Sequence, residues 1–272
     1  MACRVWAVFL LLMPSIARSQ SAGDSGSVSL SVNTSRPLAE MLDKVQHLYL
    51  NPISFEEAPY ESSVDLKSIP VKQDDGSTII FRGPPIVDFS VTLGPTDSSG
   101  HTAAQSVLSS YNNAGLPGIY SVVQAGDQVS VVPQKVRALS GNMREVTPLM
   151  SSPGEFPLAT RGAIQTLQLV AQSIASHSGA KVILLNVPFN LDDTVTMSAT
   201  GEAARDVIVR LGAIFGRPTM SSQCLYDATF KTYYLSVQII SAPNPPGVPA
   251  RHGLRIPLPR AGPEDSPFFT KQ

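Results

Sequence analysis

Apolar and polar residues alternate in a pattern that occurs twice along this chain: a helical apolar stripe, then a short apolar strand that ends in proline and an aromatic residue. The first copy, residues 36–60, contains PLAEMLDKVQHLYL followed by PISFEEAPY. The second copy, residues 162–189, contains AIQTLQLVAQSIAS followed by KVILLNVPF. Aligning the two Pro-aromatic pairs places Tyr60 opposite Phe189. The pattern predicts one structural unit present in two copies.

The helices are predicted from apolar residues spaced three and four apart. In the first helix, Leu38, Met41, Leu42, Val45 and Leu48 lie at i, i+3, i+4, i+7 and i+10, which predicts one buried stripe. Ser35 is expected to cap this helix, and Pro37 is tolerated in its first turn. Similar spacing predicts three further helices, over residues 102–111, 164–174 and 204–215. Gly179 is expected to end the second of these, and Thr200 is expected to cap the start of the third.

Strands are predicted where apolar residues alternate with polar ones or form short runs. Residues 182–187 form a nearly continuous apolar run, which is typical of a central strand buried on both faces. The turn signal Asp74-Asp75-Gly76 predicts a hairpin within 62–85, a segment that the second copy lacks. The remaining predicted strands are 27–32, 53–55, 86–93, 119–124, 128–132, 194–198, 223–226 and 232–240.

These elements predict an α+β fold of two tandem small modules, each a mixed sheet with two helices packed on one face. The first module is placed at 27–136, including the inserted hairpin 62–85. The second is placed at 161–240. Glycines and prolines break any period between them, so residues 137–160 are interpreted as a linker.

The two ends of the chain have a different composition. Residues 1–19 resemble a signal peptide, with Arg4, a short apolar run and small residues before an expected cleavage site at Gln20. Residues 241–272 contain eight prolines and are predicted to form a disordered or polyproline-like tail. We therefore expect a periplasmic or secreted protein with no membrane span in the mature chain.

Charge and cysteine content narrow the function classes. The formal net charge of -1 argues against a nucleic-acid binder, which normally has a concentrated basic face. Cys224 is the one cysteine that remains after the predicted cleavage, and its apolar surroundings predict a buried, inert thiol.

No catalytic, metal or cofactor motif is recognised in the sequence. The four histidines, His47, His101, His177 and His252, lie apart from one another and from acidic residues at metal-ligand spacing. The acidic pairs Glu56-Glu57 and Asp192-Asp193 are the only carboxylates suggestive of acid–base chemistry. We interpret them as solvated charges, because adjacent strand residues point to opposite faces and the second pair lies in a predicted turn.

Three stretches resemble the secretin and TonB short N-terminal domain. They are VSLSVNTSRPLAEMLDKVQHLYLNPISF, VTLGPTDSSGHTAAQSVLSSYNNAGLPGIYSVVQAGDQVSVVP and VTMSATGEAARDVIVRLGAIFGRPTMSSQCLY, which begin at residues 28, 91 and 195. The resemblance implies two diverged copies of a module that is non-catalytic and contacts protein partners in the bacterial periplasm. The inserted hairpin departs from the family pattern.

These inferences predict a non-catalytic envelope protein that binds a protein partner through sheet edges or helix faces, without a cofactor. Dimerisation through the same edges would cover them equally well. The candidate interaction residues are aromatic: Tyr60, Phe189, Tyr226, Tyr233 and Tyr234. Two alternatives stay open, a secreted hydrolase with a dispersed active site and a small-molecule or glycan binder that uses a cleft between the modules.

Overall fold

A computed structural model describes residues 26–72, 76–125, 128–217 and 219–240, and in these residues the chain is α+β, as predicted. Their four helices are α1 (Pro37–Tyr49), α2 (Gly100–Asn113), α3 (Ala163–Ser178) and α4 (Ala204–Ile214). Their thirteen strands are β1 (Val28–Thr34), β2 (Ile53–Glu56), β3 (Lys67–Lys72), β4 (Thr78–Gly83), β5 (Val87–Leu93), β6 (Ile119–Ala125), β7 (Gln128–Arg137), β8 (Met143–Glu145), β9 (Pro153–Gly162), β10 (Lys181–Leu184), β11 (Thr194–Ala203), β12 (Met220–Asp227) and β13 (Thr232–Ile239). The predicted signal peptide and tail lie outside the described residues.

The same order of elements and the same strand pairings occur twice. In the first half, β1 to β7, β1 pairs antiparallel with β5, β2 runs parallel to β7, and β7 pairs antiparallel with β6. In the second half, β9 to β13, the equivalent pairs are β9 with β11, β10 with β13, and β13 with β12, in the same directions. The antiparallel hairpin β3–β4 lies within residues 62–85 and has no counterpart between β10 and β11 in the described residues.

The two halves share one sheet, which the sequence did not predict. Strand β12 pairs in parallel with β2, so the strands follow the order β10-β13-β12-β2-β7-β6, with β8 added to β7. The prediction of a central strand at 182–187 is wrong, because β10 lies at the edge of this sheet and is only partly buried. The central position belongs to β2, whose four residues are all buried.

Each half has its own hydrophobic core, built from the predicted helical stripes. Helices α1 and α2 pack together in the first core, and α3 and α4 pack together in the second. In α1, Leu38, Met41, Leu42 and Val45 are buried as predicted, but Leu48 is exposed. At 100° per residue, position 48 lies about 70° from the centre of the four buried positions and outside all of them, which places Leu48 at the exposed border of the stripe.

The helix ends differ from the predictions in two places. Helix α1 begins after Arg36, and no side chain caps it, so the Ser35 hydroxyl does not have the predicted role. Helix α4 begins after Ala203, again without a side-chain cap, because β11 continues past Thr200. Gly179 ends α3 as predicted, with a φ of 69° that favours glycine.

The segment predicted as a linker, 137–160, contains regular structure. It holds β8, a short 3₁₀ turn (Leu149–Ser151) and most of β9. Prolines are tolerated in β9 because, among the residues that the structure describes, this strand pairs only with β11 and so keeps one open edge. Pro153 is its first residue, and Pro157 lies where the register with β11 shifts.

Candidate binding site

The five aromatic residues predicted to form an interaction surface do not form one surface. Tyr60, Tyr226 and Tyr233 do meet: the ring centroids of Tyr60 and Tyr226 lie 6.3 Å apart, and those of Tyr226 and Tyr233 lie 4.8 Å apart. Tyr234 is partly buried on the opposite face of β13, because adjacent strand residues alternate. Phe189 lies inside the second core, in the same buried cluster as Tyr233.

Burial corrects the prediction for two of these residues. Phe189 is 1% exposed, and its ring packs 5.0 Å from that of Phe215. Tyr233 is also buried. Neither ring is therefore available to a partner, whereas Tyr60, Tyr226 and Tyr234 remain partly exposed and stay candidates.

Glu57 is the centre of a buried polar network between the two halves. Its carboxylate accepts hydrogen bonds from Arg36 Nε at 3.1 Å, from the Tyr60 hydroxyl at 2.5 Å and from the Tyr226 amide at 2.8 Å. Arg36 Nη2 also donates to the Tyr226 carbonyl at 2.8 Å. Burial lowers the pKa of Arg36, but the Glu57 carboxylate raises it, and the resulting pKa lies above the ordinary value. The expectation of a solvated charge at position 57 is wrong.

Glu56 is equally buried, on the other side of the strand. Its carboxylate accepts hydrogen bonds from the amides of Leu149 and Met150, the latter at 2.9 Å. Burial raises the pKa of Glu56 to about 7, although the two amide hydrogen bonds act in the opposite direction. Glu56 and Glu57 therefore connect the first half to two different parts of the second, and neither is solvated as predicted.

A cleft of about 390 Å³ opens beside the hairpin β3–β4, and we call it the hairpin cleft. Its lining from the first half includes Ser35 and Arg36 at the start of α1, and Lys67 in β3. Tyr226 and Asp227 contribute from the second half. The cleft therefore lies between the two halves, with the inserted hairpin along one side.

The hairpin is attached to the second half by contacts next to the cleft. The Arg82 amide donates to Thr229 Oγ1 at 2.7 Å, and the Thr229 hydroxyl donates back to the Arg82 carbonyl at 3.2 Å. The ring of Phe81 meets that of Phe230 edge-on, with centroids 6.3 Å apart. These contacts keep β4 beside the turn that joins β12 to β13.

Strand register decides which hairpin side chains face the cleft. Lys67 pairs with Gly83 and Ile69 with Phe81, and residues directly opposite one another share a face. All four line the cleft. Arg82 pairs with Ser68 one position along, so the register places its side chain on the outer face of the hairpin.

The other candidates for chemistry lie apart from one another. Cys224 is buried in β12 as predicted, and burial raises the pKa of its thiol well above the ordinary value. His47 is exposed in α1, His101 lies in the first turn of α2, and His177 lies in the last turn of α3. Asp193 accepts the Asn190 amide in a turn, at 2.8 Å. In the described ranges, no three His, Cys, Asp or Glu side chains are placed to hold a metal ion.

Sequence reasoning missed the cleft residues Ser35, Arg36 and Lys67. The sequence did indicate that Lys67 and Ile69 share a face, because they lie two residues apart in the segment predicted to form a hairpin. Only the first copy contains this hairpin. The position of the hairpin over the second half could not be read in the same way, because it depends on contacts between distant segments.

None of the helices in the described part of the chain has the length and apolarity to cross a lipid bilayer. Comparison of the chain with protein-family models, with curated proteins and with solved structures gives no match.

Proposed function

We propose that this chain is a non-catalytic protein-interaction module of the bacterial cell envelope, periplasmic or secreted, that binds a protein partner through the surface around the hairpin β3–β4. The observation that carries the proposal is a group of exposed apolar side chains around the hairpin, which we call the hairpin surface. Ile69, Ile86 and Phe230 lie at or beside the cleft, with exposed fractions of 52, 66 and 53%, and Ile80 lies on the outer face of the hairpin, with an exposed fraction of 56%. Apolar side chains that remain exposed in one region are typical of interaction sites.

The hairpin is a better docking edge than either end of the large sheet. At one end, the Asn112 side chain accepts the Tyr120 amide at 3.1 Å and donates to the Tyr120 carbonyl at 2.9 Å, which occupies part of the outer edge of β6. At the other end, β10 has only four residues. In contrast, β3 pairs only with β4 in the described residues, so it keeps an outer edge that a partner strand can join, whereas Thr229 occupies the outer edge of β4 at Arg82.

Two features of the sequence support the proposed class. The secretin and TonB short N-terminal domain, which the chain resembles, is non-catalytic and contacts protein partners. The signal-peptide pattern of residues 1–19 supports export.

Site-specific photo-crosslinking tests this proposal in the cells that produce the protein. A photoreactive phenylalanine analogue is placed at Ile80 or Ile86, and at Leu158 in β9 as an equally exposed control. We expect a discrete protein adduct from positions 80 and 86 and none from 158. We also expect Ile86→Asp to abolish the adduct formed from position 80. Absence of an adduct at both hairpin positions, or the same adducts from all three, would refute the proposal.

A further inference from the structure

The hairpin cleft combines positive charge with apolar walls. Lys67 contributes an ammonium group that is unpaired in the described part of the chain, and Phe81, Pro85 and Ile86 contribute apolar surface. We propose that the cleft binds an extended segment of the protein partner in which an acidic residue is flanked by apolar residues. This inference rests on the proposed function and specifies the chemistry of the partner.

Within the described residues, the cation of the cleft that the chain leaves unpaired is Lys67, because Arg36 is already paired with the Glu57 carboxylate. No hydrogen bond or ion pair engages the Lys67 side chain within the described ranges. The single acidic residue of the lining, Asp227, is already engaged, since its Oδ1 accepts the amides of Thr229 at 2.8 Å and Phe230 at 3.1 Å. An acidic ligand would therefore meet an ammonium group that lacks a counter-ion.

The start of α1 adds a second source of positive potential. Ser35 and Arg36 precede the first turn of this 13-residue helix, whose N-terminus has no side-chain cap. A helix N-terminus carries a partial positive charge and favours anions nearby. The Ser35 hydroxyl, which the helix does not use, remains a donor for a carboxylate.

The apolar surface continues beyond the cleft, which favours a peptide over a small anion. Ile69 and Ile86 line the cleft and are still more than half exposed, and Phe230 lies outside it against Phe81. A small anion would leave these three side chains in water. An extended peptide can place a carboxylate near Lys67 and cover apolar rim residues on either side.

Peptide display provides the test. A library of random peptides is selected against the mature chain from Gln20 onward, and the affinity of the enriched peptides is then measured by fluorescence anisotropy. Lys67→Glu is the test variant. Lys72→Glu is the matched control, because Lys72 lies in the same strand on the outer face of the hairpin, paired with Thr78.

We expect enriched peptides to share an acidic residue next to apolar ones, and added salt to weaken their binding. We expect Lys67→Glu to weaken binding about tenfold or more, the value of one charge-assisted contact, and Lys72→Glu about twofold or less. Selection of peptides without acidic residues, equal losses in both variants, or no enrichment at all would overturn the inference. If that happens while the crosslinks from positions 80 and 86 persist, the partner-binding function stands and only its acidic chemistry is refuted.

Discussion

The buried carboxylate of Glu56 should make the stability of this protein fall as the pH rises. Its pKa is about 7 in the folded chain, above the ordinary value of 4.5, because burial disfavours the charged form. Between these two values the folded state retains a proton that the unfolded chain has released. The stabilisation is therefore fully present below about pH 4.5 and is lost as the pH rises through 7.

The size of this effect follows from the two pKa values. At about 1.4 kcal/mol per pH unit, the interval from 4.5 to about 7 corresponds to about 3 kcal/mol of unfolding free energy. Glu56→Gln removes the titrating group but leaves a side chain of the same shape. The variant loses one of the two hydrogen bonds from Leu149 and Met150, because an amide offers only one oxygen, and this loss costs about 1–2 kcal/mol at every pH.

Urea unfolding of both proteins between pH 4.5 and pH 8 measures the prediction. The unfolding free energy of Glu56→Gln minus that of the wild type should increase by about 3 kcal/mol over this range, whatever its value at pH 4.5. The same substitution at the exposed Glu145 in β8 measures the effect of losing a carboxylate at the surface. If this difference does not change with pH, or decreases, then burial does not raise the pKa of Glu56 in the folded protein.

Three further substitutions test the contacts between the two halves and the packing of the second core. Arg36→Met should lower the unfolding free energy by about 3 kcal/mol, because it leaves Glu57 buried without its cation; an unchanged urea midpoint would contradict this pairing. Ser54→Ala should cost about 1–3 kcal/mol, since Ser54 Oγ accepts the Ser222 amide at 3.0 Å; a stability equal to that of the wild type would refute the role. Phe189→Ala should cost about 3–5 kcal/mol in calorimetry by leaving a cavity, whereas a loss below about 1 kcal/mol would indicate a surface ring.

The helices and the duplication could be predicted because both depend on local spacing. The stripe of α1 needs only the 3.6-residue period, and the two copies repeat the same succession of elements. The strand order could not be predicted in this way. The run KVILL in the second copy is more apolar than ISFE in the first, yet β10 lies at the sheet edge and β2 at its centre. Apolar content did not follow burial here either, since β10 is only partly buried and all four residues of β2 are buried. Helix α3 packs on β10, but in the described residues β10 has one neighbouring strand.

The errors at Glu56 and Glu57 have a related cause. Alternation correctly places adjacent side chains on opposite faces, and for an edge strand one of them would reach water. β2 is central, and the protein covers both of its faces: the turn at Leu149 and Met150 lies on one, and Arg36 and Tyr60 on the other. Whether these acidic residues are solvated therefore depends on which distant segments pack together. Local sequence patterns do not report such contacts.

The contacts between the two halves also determine whether the hairpin cleft exists. Lys67 and Ser35 come from the first half, and Tyr226 and Asp227 come from the second. Directly below them, Arg36 contacts both Glu57 and the Tyr226 carbonyl, so one side chain holds the two walls together. Arg36→Met removes these contacts between the two halves, so we expect it to weaken peptide binding and to lower the stability of the fold together. Lys67→Glu should weaken binding alone, because this exposed side chain has no partner within the described residues to lose. A loss of stability in Lys67→Glu equal to that in Arg36→Met would mean that Lys67 has a structural role, and the argument for a separate role of its charge in binding would fail.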